Sequence, residues 1–347
     1  MSTSSRSSPM ATAQIDTLKL ISKEYHDFNG SHYDILHRSS TPLGFSRLVH
    51  ISRPVLFKSC VVPDATSRWT NEYLVNSMGE RSISIAVTPN GRADAITCGK
   101  DGRLYFAEPH VESMTMRTFL DKLSAEPKFC KTSAGDSEVY YLQSQNGNLF
   151  AARYFDLSGE PDPSVFEPLR RDVPSEISWC TEALGRSPEA VNLWIGNSRS
   201  VTSMHSDPYE NIYSVVRGAK HFTLLPPTEA WCVKERTYPH ARFQRSQATS
   251  QLELVPSPPR APSIRWSSVQ DPTSPGALPP EAHPIHITVR AGETLYLPAG
   301  WWHYVRQSEL TIAINYWYDM ESRGMSWVWH NFLRGSGDPP SGNQDDR

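Results

Sequence analysis

The stretch from residue 191 to 317 constrains this chain more than any other. Val191–Ile195, Ile212–Val216, His221–Leu225, Ile285–Val289, Thr294–Leu297 and Leu310–Trp317 are short runs rich in β-branched and aromatic residues. Such runs favour extended backbone. Gly218 and Ala291-Gly292 fall where hairpin turns would sit, since glycine reaches the positive φ that tight turns require. Many short strands joined by short turns argue for a sandwich or barrel and against a doubly wound sheet. One segment breaks the pattern. Residues 241–284 include nine prolines between Pro256 and Pro284. Proline disfavours helix interiors and central strands, so this segment is expected to be a long loop on the rim.

Upstream, the pattern is mixed. Ile15, Leu18, Ile21, Tyr25 and Phe28 recur at helical spacing. Pro54–Phe57, Ser82–Val87 and Val139–Gln143 read as strands, Thr88-Pro-Asn-Gly91 as a turn and Met116–Leu123 as a helix. The expected organisation is a Ser/Thr-rich disordered stretch over 1–13, helices and strands over 14–190 packed on the β core of 191–319, and a short helical region over 320–334. A loose Gly/Pro/Asp-rich tail follows over 335–347. Trp327, Trp329 and Phe332 in that last helix are costly to leave in water and are expected to pack on the core or on a second copy of the chain.

Composition excludes several classes. The formal net charge is −3 over 347 residues, which argues against charge-driven nucleic-acid binding. No stretch approaches the roughly 18 apolar residues of a membrane span, so no membrane association is expected. Cys60, Cys98, Cys130, Cys180 and Cys232 are odd in number and widely spaced, with no CxxC pair. That is neither a disulfide scaffold nor a thiolate zinc site. It suits a reducing compartment, cytoplasm or nucleus.

The chemistry concentrates in Thr202-Ser-Met-His205-Ser-Asp207. In extended backbone, residues i and i+2 point the same way, so an imidazole and a carboxylate there can meet one metal ion. His303, in Leu297-Pro-Ala-Gly-Trp-Trp-His303 after a strand run, is the best third ligand. Two histidines and one carboxylate on one face of an octahedral ion leave three positions open for a chelating co-substrate and O₂. His-x-Asp also arises by chance, and a hydrogen-bonded loop histidine is the plain alternative. Lys220 adds weight. Its neighbours Phe222, Leu224 and Leu225 are apolar, and a lysine turned into a core needs an anion. The far carboxylate of a dicarboxylate co-substrate would serve, with the Thr202 hydroxyl as a further donor. On the other face of its strand Lys220 would be an ordinary surface residue. His50, His110, His221, His283 and His286 lack an evident carboxylate partner and read as surface histidines. No G-x-S-x-G, P-loop or dinucleotide fingerprint occurs.

Residues 191–227 and 292–319 resemble the two metal-binding motifs of the Jumonji C family of Fe(II)- and 2-oxoglutarate-dependent oxygenases. The segments 84–91, 139–145, 178–185 and 316–321 are similar to those of its small lysyl hydroxylase branch. The resemblance covers roughly 40–332. It implies a mainly β fold, a cupin-like jelly roll of the double-stranded β-helix type, with N-terminal α/β elements and a short C-terminal helical region. It implies iron on His205, Asp207 and His303, and 2-oxoglutarate on Lys220, Thr202, Asn211, Asn315 and Tyr141, which matches better than Tyr140. Mn, Ni or Zn would be surrogates at that centre. It implies hydroxylation of a lysine at C3 in a protein substrate such as a GTP-binding protein, and a homodimer. For a C3 hydroxylase, Glu210, Asp94 and Tyr209 are candidates by residue type for holding the lysine ammonium off the metal. The rivals are methyl-lysine demethylation, hydroxylation of a tRNA base, and a non-catalytic cupin-like binding protein. A peptidase activity finds no dedicated general base in the sequence.

Overall fold

The computed structural model describes residues 9–125, 138–143, 147–156, 162–335 and 339–343. Two sheets form its centre. The larger runs Asp34–Leu36, Val55–Phe57, Thr294–Leu297, Tyr209–Arg217, Thr311–Asp319, Ala190–Gly196, Phe150–Ala151. The smaller runs Ile285–Arg290, Ala219–Leu225, Trp302–Gln307, Val201–His205, Arg92–Ala93. Between residues 190 and 319 the chain passes back and forth between the two, and the central strands pair antiparallel. This is the winding of a cupin-like jelly roll.

The two sheets differ in how their outer faces are covered. Along Tyr209–Arg217 and Thr311–Asp319 nearly every residue is buried, because both faces of the larger sheet are packed. Its inner face presents Tyr213, Val215 and Ala313 to Phe222, Leu224 and Val305 of the smaller sheet. Its outer face presents Ile212, Val216 and Ile314 to the N-terminal helices. There Phe45 of helix Pro42–Ile51 meets Trp179 and Tyr296 edge-on at 4.9 and 5.0 Å. In the smaller sheet, Ile285–Arg290 alternates between buried and open positions, the signature of a sheet with one face toward water.

The strand runs named from sequence are all present. Residues 241–284 differ from the expected loop. They hold most of the strand His240–Arg245, together with Leu252–Pro256 and Ile264–Ser267, which pair outside the jelly roll with Leu104–Glu108 and Glu235–Tyr238. The prolines sit at strand ends and in the turns between, where a missing N–H costs nothing. The tail is also less loose than expected. Leu104 N–H donates to Asn343 Oδ1 (2.7 Å) and Thr237 N–H to the Pro340 carbonyl (3.0 Å). The first helix spans Pro9–Asn29 and so takes in residues 9–13 of the stretch expected to be disordered. Residues 1–8, and Cys130, lie outside the described residues. On helix Met325–Arg334 the side chains of Trp327, Trp329 and Phe332 are exposed in the single chain.

Candidate metal and co-substrate site

His205 ends strand Val201–His205 and lies directly opposite His303 of strand Trp302–Gln307. The pairing slips between Thr202 and His205. This irregularity lets Thr202 and His205 both face the space between the sheets. Asp207 follows on the turn into the next strand, and its carbonyl accepts Gly300 N–H at 2.9 Å. That bond ties the turn carrying Asp207 to the loop leading into His303. The imidazole nitrogens and the carboxylate offer three ligand atoms within 4.8 Å of one another. His205 Nε2 and His303 Nε2 lie 3.6 and 3.7 Å from the same Asp207 oxygen.

The tautomers follow from the partners. His205 Nδ1 is 2.8 Å from the Ser203 carbonyl and His303 Nδ1 is 3.0 Å from the Trp301 carbonyl. A carbonyl only accepts, so both Nδ1 atoms carry hydrogen, and both Nε2 atoms are turned toward Asp207. Anchoring of the second ring nitrogen to a backbone carbonyl is how metal-ligating histidines are commonly oriented. Burial, with His205 beside it, pushes His303 down to about 4. Burial opposes ionisation of Asp207, but His205 and then His303 hold it below the usual carboxylate range. Burial works against a charge on His205, but the Asp207 carboxylate outweighs it and holds His205 above its usual range. A divalent ion requires neutral imidazoles and an ionised carboxylate, so its binding would displace that His205 proton, while His303 and Asp207 already suit it. On this donor chemistry the three residues fit an Fe(II) centre.

One layer deeper, Lys220 is 2% exposed. It shares the inward face of its strand with Phe222, while His221 between them points out. Its ammonium donates to Tyr141 Oη at 3.0 Å, and Tyr141 also bonds the Thr202 hydroxyl. Among the described residues no carboxylate pairs with Lys220. Burial therefore lowers it to about 7. On the facing sheet Asn315 donates to Asn211 Oδ1 (3.1 Å) and accepts from Asn192 (3.2 Å) and the Trp194 indole (2.9 Å). The structure thus brings His205, Asp207, His303, Thr202, Tyr141, Asn211 and Asn315 onto one cavity of about 800 Å³, with Lys220 just behind Tyr141.

The three residues named for an ammonium wall separate. Asp94 lines the cavity, and Gln143 Nε2 donates to its Oδ2 at 3.0 Å. Burial and then Glu108 push it up to about 6. Glu210 points away, accepting from Tyr296 Oη (2.7 Å) and Ala299 N–H (3.4 Å) behind the cavity. Tyr209 stacks on Trp317 at 4.9 Å and is not part of the lining.

Residues 42–324 match the family described as the cupin-like domain. The chain is 38% identical over 299 residues to lysine-specific demethylase JMJ32 of Arabidopsis thaliana, covering 80% of this chain and 79% of that protein. It is 34% identical over 299 residues to the bifunctional peptidase and (3S)-lysyl hydroxylase JMJD7 of Homo sapiens, covering 82% and 84%. JmjC domain-containing protein E of Dictyostelium discoideum is 34% identical over 296 residues, covering 78% of each. The chain belongs to the cupin-like Jumonji C family. Enzymes of this family use Fe(II) and 2-oxoglutarate.

Apart from Asp94, the outer part of the cavity of this Jumonji C chain is lined by residues that nothing in the sequence marked. Glu108, Arg242 and Trp266 come from the accessory strands, and His110 from the strand His110–Thr115. Trp266 lies parallel to the His205 ring at 5.8 Å and donates to Ser203 Oγ at 3.2 Å. It sits inside the proline-rich stretch taken for a loop, which is why nothing marked it. His110, expected at the surface, lines the cavity beside Glu112, 3.9 Å away. His283 has a carboxylate partner, Glu229 at 2.8 Å, and neither is part of the cavity lining.

Proposed function

We propose that this chain is an Fe(II)- and 2-oxoglutarate-dependent protein hydroxylase that oxidises a lysyl side chain at C3. The observation that carries the co-substrate half is Lys220, a buried lysine with no acid partner among the described residues, behind a two-histidine, one-carboxylate cluster. A buried ammonium left unpaired is costly, and a dicarboxylate chelated at the cluster would bring its far carboxylate there. His205, Asp207 and His303 would hold the metal. Fe(II) with 2-oxoglutarate supplies, when bound, a two-electron oxidation that puts one atom of O₂ into a C–H bond and the other into succinate, with loss of CO₂.

The chain's own residues do the rest by position. Lys220 and Tyr141 bind the far carboxylate, and Thr202, bonded to the Tyr141 hydroxyl, helps hold that group in place. Asn211 and Asn315, locked to Asn192 and Trp194, present amide groups to the co-substrate from the opposite sheet. Trp194, Phe222 and Trp317 wall the cavity and keep water from the reacting carbon. The lysyl target rests on the likeness to a named lysyl hydroxylase. A second reading, removal of a methyl group from methyl-lysine, is favoured by the likeness to a named lysine-specific demethylase. The carboxylates of Asp94 and Glu108 at the mouth weigh against a polyanionic RNA substrate.

Mass spectrometry separates these readings. Lysyl peptides, including segments of GTP-binding proteins, are incubated with Fe(II), 2-oxoglutarate and O₂, with Asp207→Ala as control. The hydroxylase reading expects one added oxygen on unmodified lysine, one succinate per turnover and no formaldehyde. Formaldehyde from methyl-lysine peptides, without oxygen on unmodified ones, would replace it with the demethylase reading.

A further inference from the structure

The cavity has a second unpaired charge. Asp94 follows the edge strand Arg92–Ala93 of the smaller sheet, and its carbonyl accepts the Ser203 hydroxyl at 2.6 Å. Of the two carboxylates at the mouth, Glu108 is already compensated. It meets Arg242 at 2.6 Å and His240 at 3.2 Å. Asp94 has Gln143 as its hydrogen-bond partner and, among the described residues, no cation. With Fe(II) and dianionic 2-oxoglutarate in place, Asp207 and Lys220 bring the inner half of the cavity to neutrality. In the outer half Arg242 offsets Glu108. One negative charge is left over, and it is that of Asp94. A loaded cavity of this kind is completed by a single cation.

We propose that Asp94 is the receptor for the cationic end of the substrate side chain and selects a lysine ammonium. This rests on the lysyl reading given above. Gln143 occupies Oδ2, and among the described residues no side chain bonds Oδ1. One free oxygen suits a point-like ammonium, whereas the flat fork of a guanidinium is best matched by both oxygens. Trp266, whose indole donates to the same Ser203 hydroxyl, presents an aromatic wall beside it. Position also fits oxidation at C3. Ser203, whose hydroxyl bonds the Asp94 backbone carbonyl, lies two residues before His205, so Asp94 and the cluster share one wall of the cavity. The C3-to-nitrogen span of an extended lysine is about 5 Å. Asp94 lines the cavity outside the three-ligand cluster, so an ammonium held there keeps the nitrogen off the His205–Asp207–His303 cluster and turns the side-chain carbons toward it. A demethylase would need the opposite placement.

The test uses the protein loaded with Mn(II) and 2-oxoglutarate, which binds without turning over. Titrations compare acetyl-Gly-Gly-Lys-Gly-Gly-amide with the same peptide carrying norleucine or arginine at the centre. Wild type should bind the lysine peptide at least about tenfold more tightly than the norleucine peptide, as expected of a charge-assisted contact. It should also prefer lysine to arginine. Asp94→Asn should bring lysine binding down to the norleucine level while 2-oxoglutarate affinity stays within about twofold. Asp94 has φ +51°, a backbone region asparagine tolerates well. Asp94→Gly, equally at ease there, is the second variant should the first fail to bind 2-oxoglutarate. A lysine preference that survives both variants, or that wild type never shows, overturns the proposal. Arginine bound as tightly as lysine overturns the ammonium selectivity. A lysine preference that depends on Asp94, with no oxygen added under the Fe(II) assay, would sustain the receptor and remove the hydroxylase reading. Oxygen added equally well by the Asn variant would do the reverse.

Discussion

The two ends of the cavity are built differently. The inner end is made of Lys220, Tyr141 and Thr202, with Asn211 and Asn315 on the opposite wall. Most of these sit on strands flanked on both sides by other strands. Their side chains are fixed by packing and by bonds to one another. The outer end is made of Asp94, Glu108, Arg242 and Trp266, on an edge strand and on accessory strands outside the jelly roll. An interior position tolerates little change in shape or charge. An edge or added strand can be rebuilt without disturbing the core. On the proposed function, the fold would confine co-substrate binding to its rigid centre and leave the choice of substrate to its periphery.

The largest effect expected from breaking this contrast is at the inner end. Lys220→Met keeps the side chain's length and removes its charge. It should weaken 2-oxoglutarate binding by about a hundredfold or more, since losing one partner of a buried ion pair costs about 3–5 kcal/mol, while metal binding stays intact. Titration of 2-oxoglutarate at saturating Mn(II) measures both. The same lysine sets a pH dependence. Burial holds it at about 7 in the free protein, and the bound dianion prefers the ammonium. Binding therefore takes up a proton above pH 7. Affinity should be flat below that point and fall by up to about tenfold per pH unit above it. Lys220→Met should flatten the profile, and a slope retained by that variant would assign it elsewhere.

A smaller effect is expected from a residue that belongs to neither end. Glu210 is buried behind the cavity, and burial pushes it up to about 7 from a model-peptide value of 4.5. The folded state keeps this proton longer than the unfolded chain. Its stability is therefore greatest below pH 4.5 and is lost as pH rises through 7, by on the order of 3 kcal/mol. Glu210→Gln retains an acceptor for Tyr296 and Ala299 N–H and cannot ionise. Urea unfolding should show that it removes most of this pH dependence and leaves 2-oxoglutarate affinity unchanged.

The same contrast governs what could be read from sequence. His205, Asp207, His303 and Lys220 were legible as residue types in unusual company, a His-x-Asp pair, a histidine after a strand run and a lysine among apolar neighbours, and the family resemblance joined them, while periodicity left open which way His205 and Lys220 face. The jelly-roll strands were legible as short β-branched and aromatic runs between turns. Of the outer end only Asp94 was, and that by residue type alone. Arg92–Ala93 is two residues long, Leu104–Glu108 pairs in parallel with a strand more than 130 residues away, and Ile264–Ser267 lies among prolines. Periodicity carries no signal over such lengths, and long-range pairing leaves no local trace. Glu210 shows the converse limit. It shares a strand with Asn211, yet alternation sends the two to opposite faces of the sheet, and residue type alone could not say which face was the cavity.

The most direct test of this division is a crystal structure with Mn(II), 2-oxoglutarate and a lysyl peptide bound together. The account predicts the metal bonded to His205 Nε2, His303 Nε2 and Asp207, the far carboxylate of 2-oxoglutarate on Lys220 and Tyr141, and the peptide's ammonium on Asp94 with C3 facing the metal. A metal seated elsewhere, a co-substrate carboxylate that leaves Lys220 unpaired, or an ammonium turned toward the metal would contradict it.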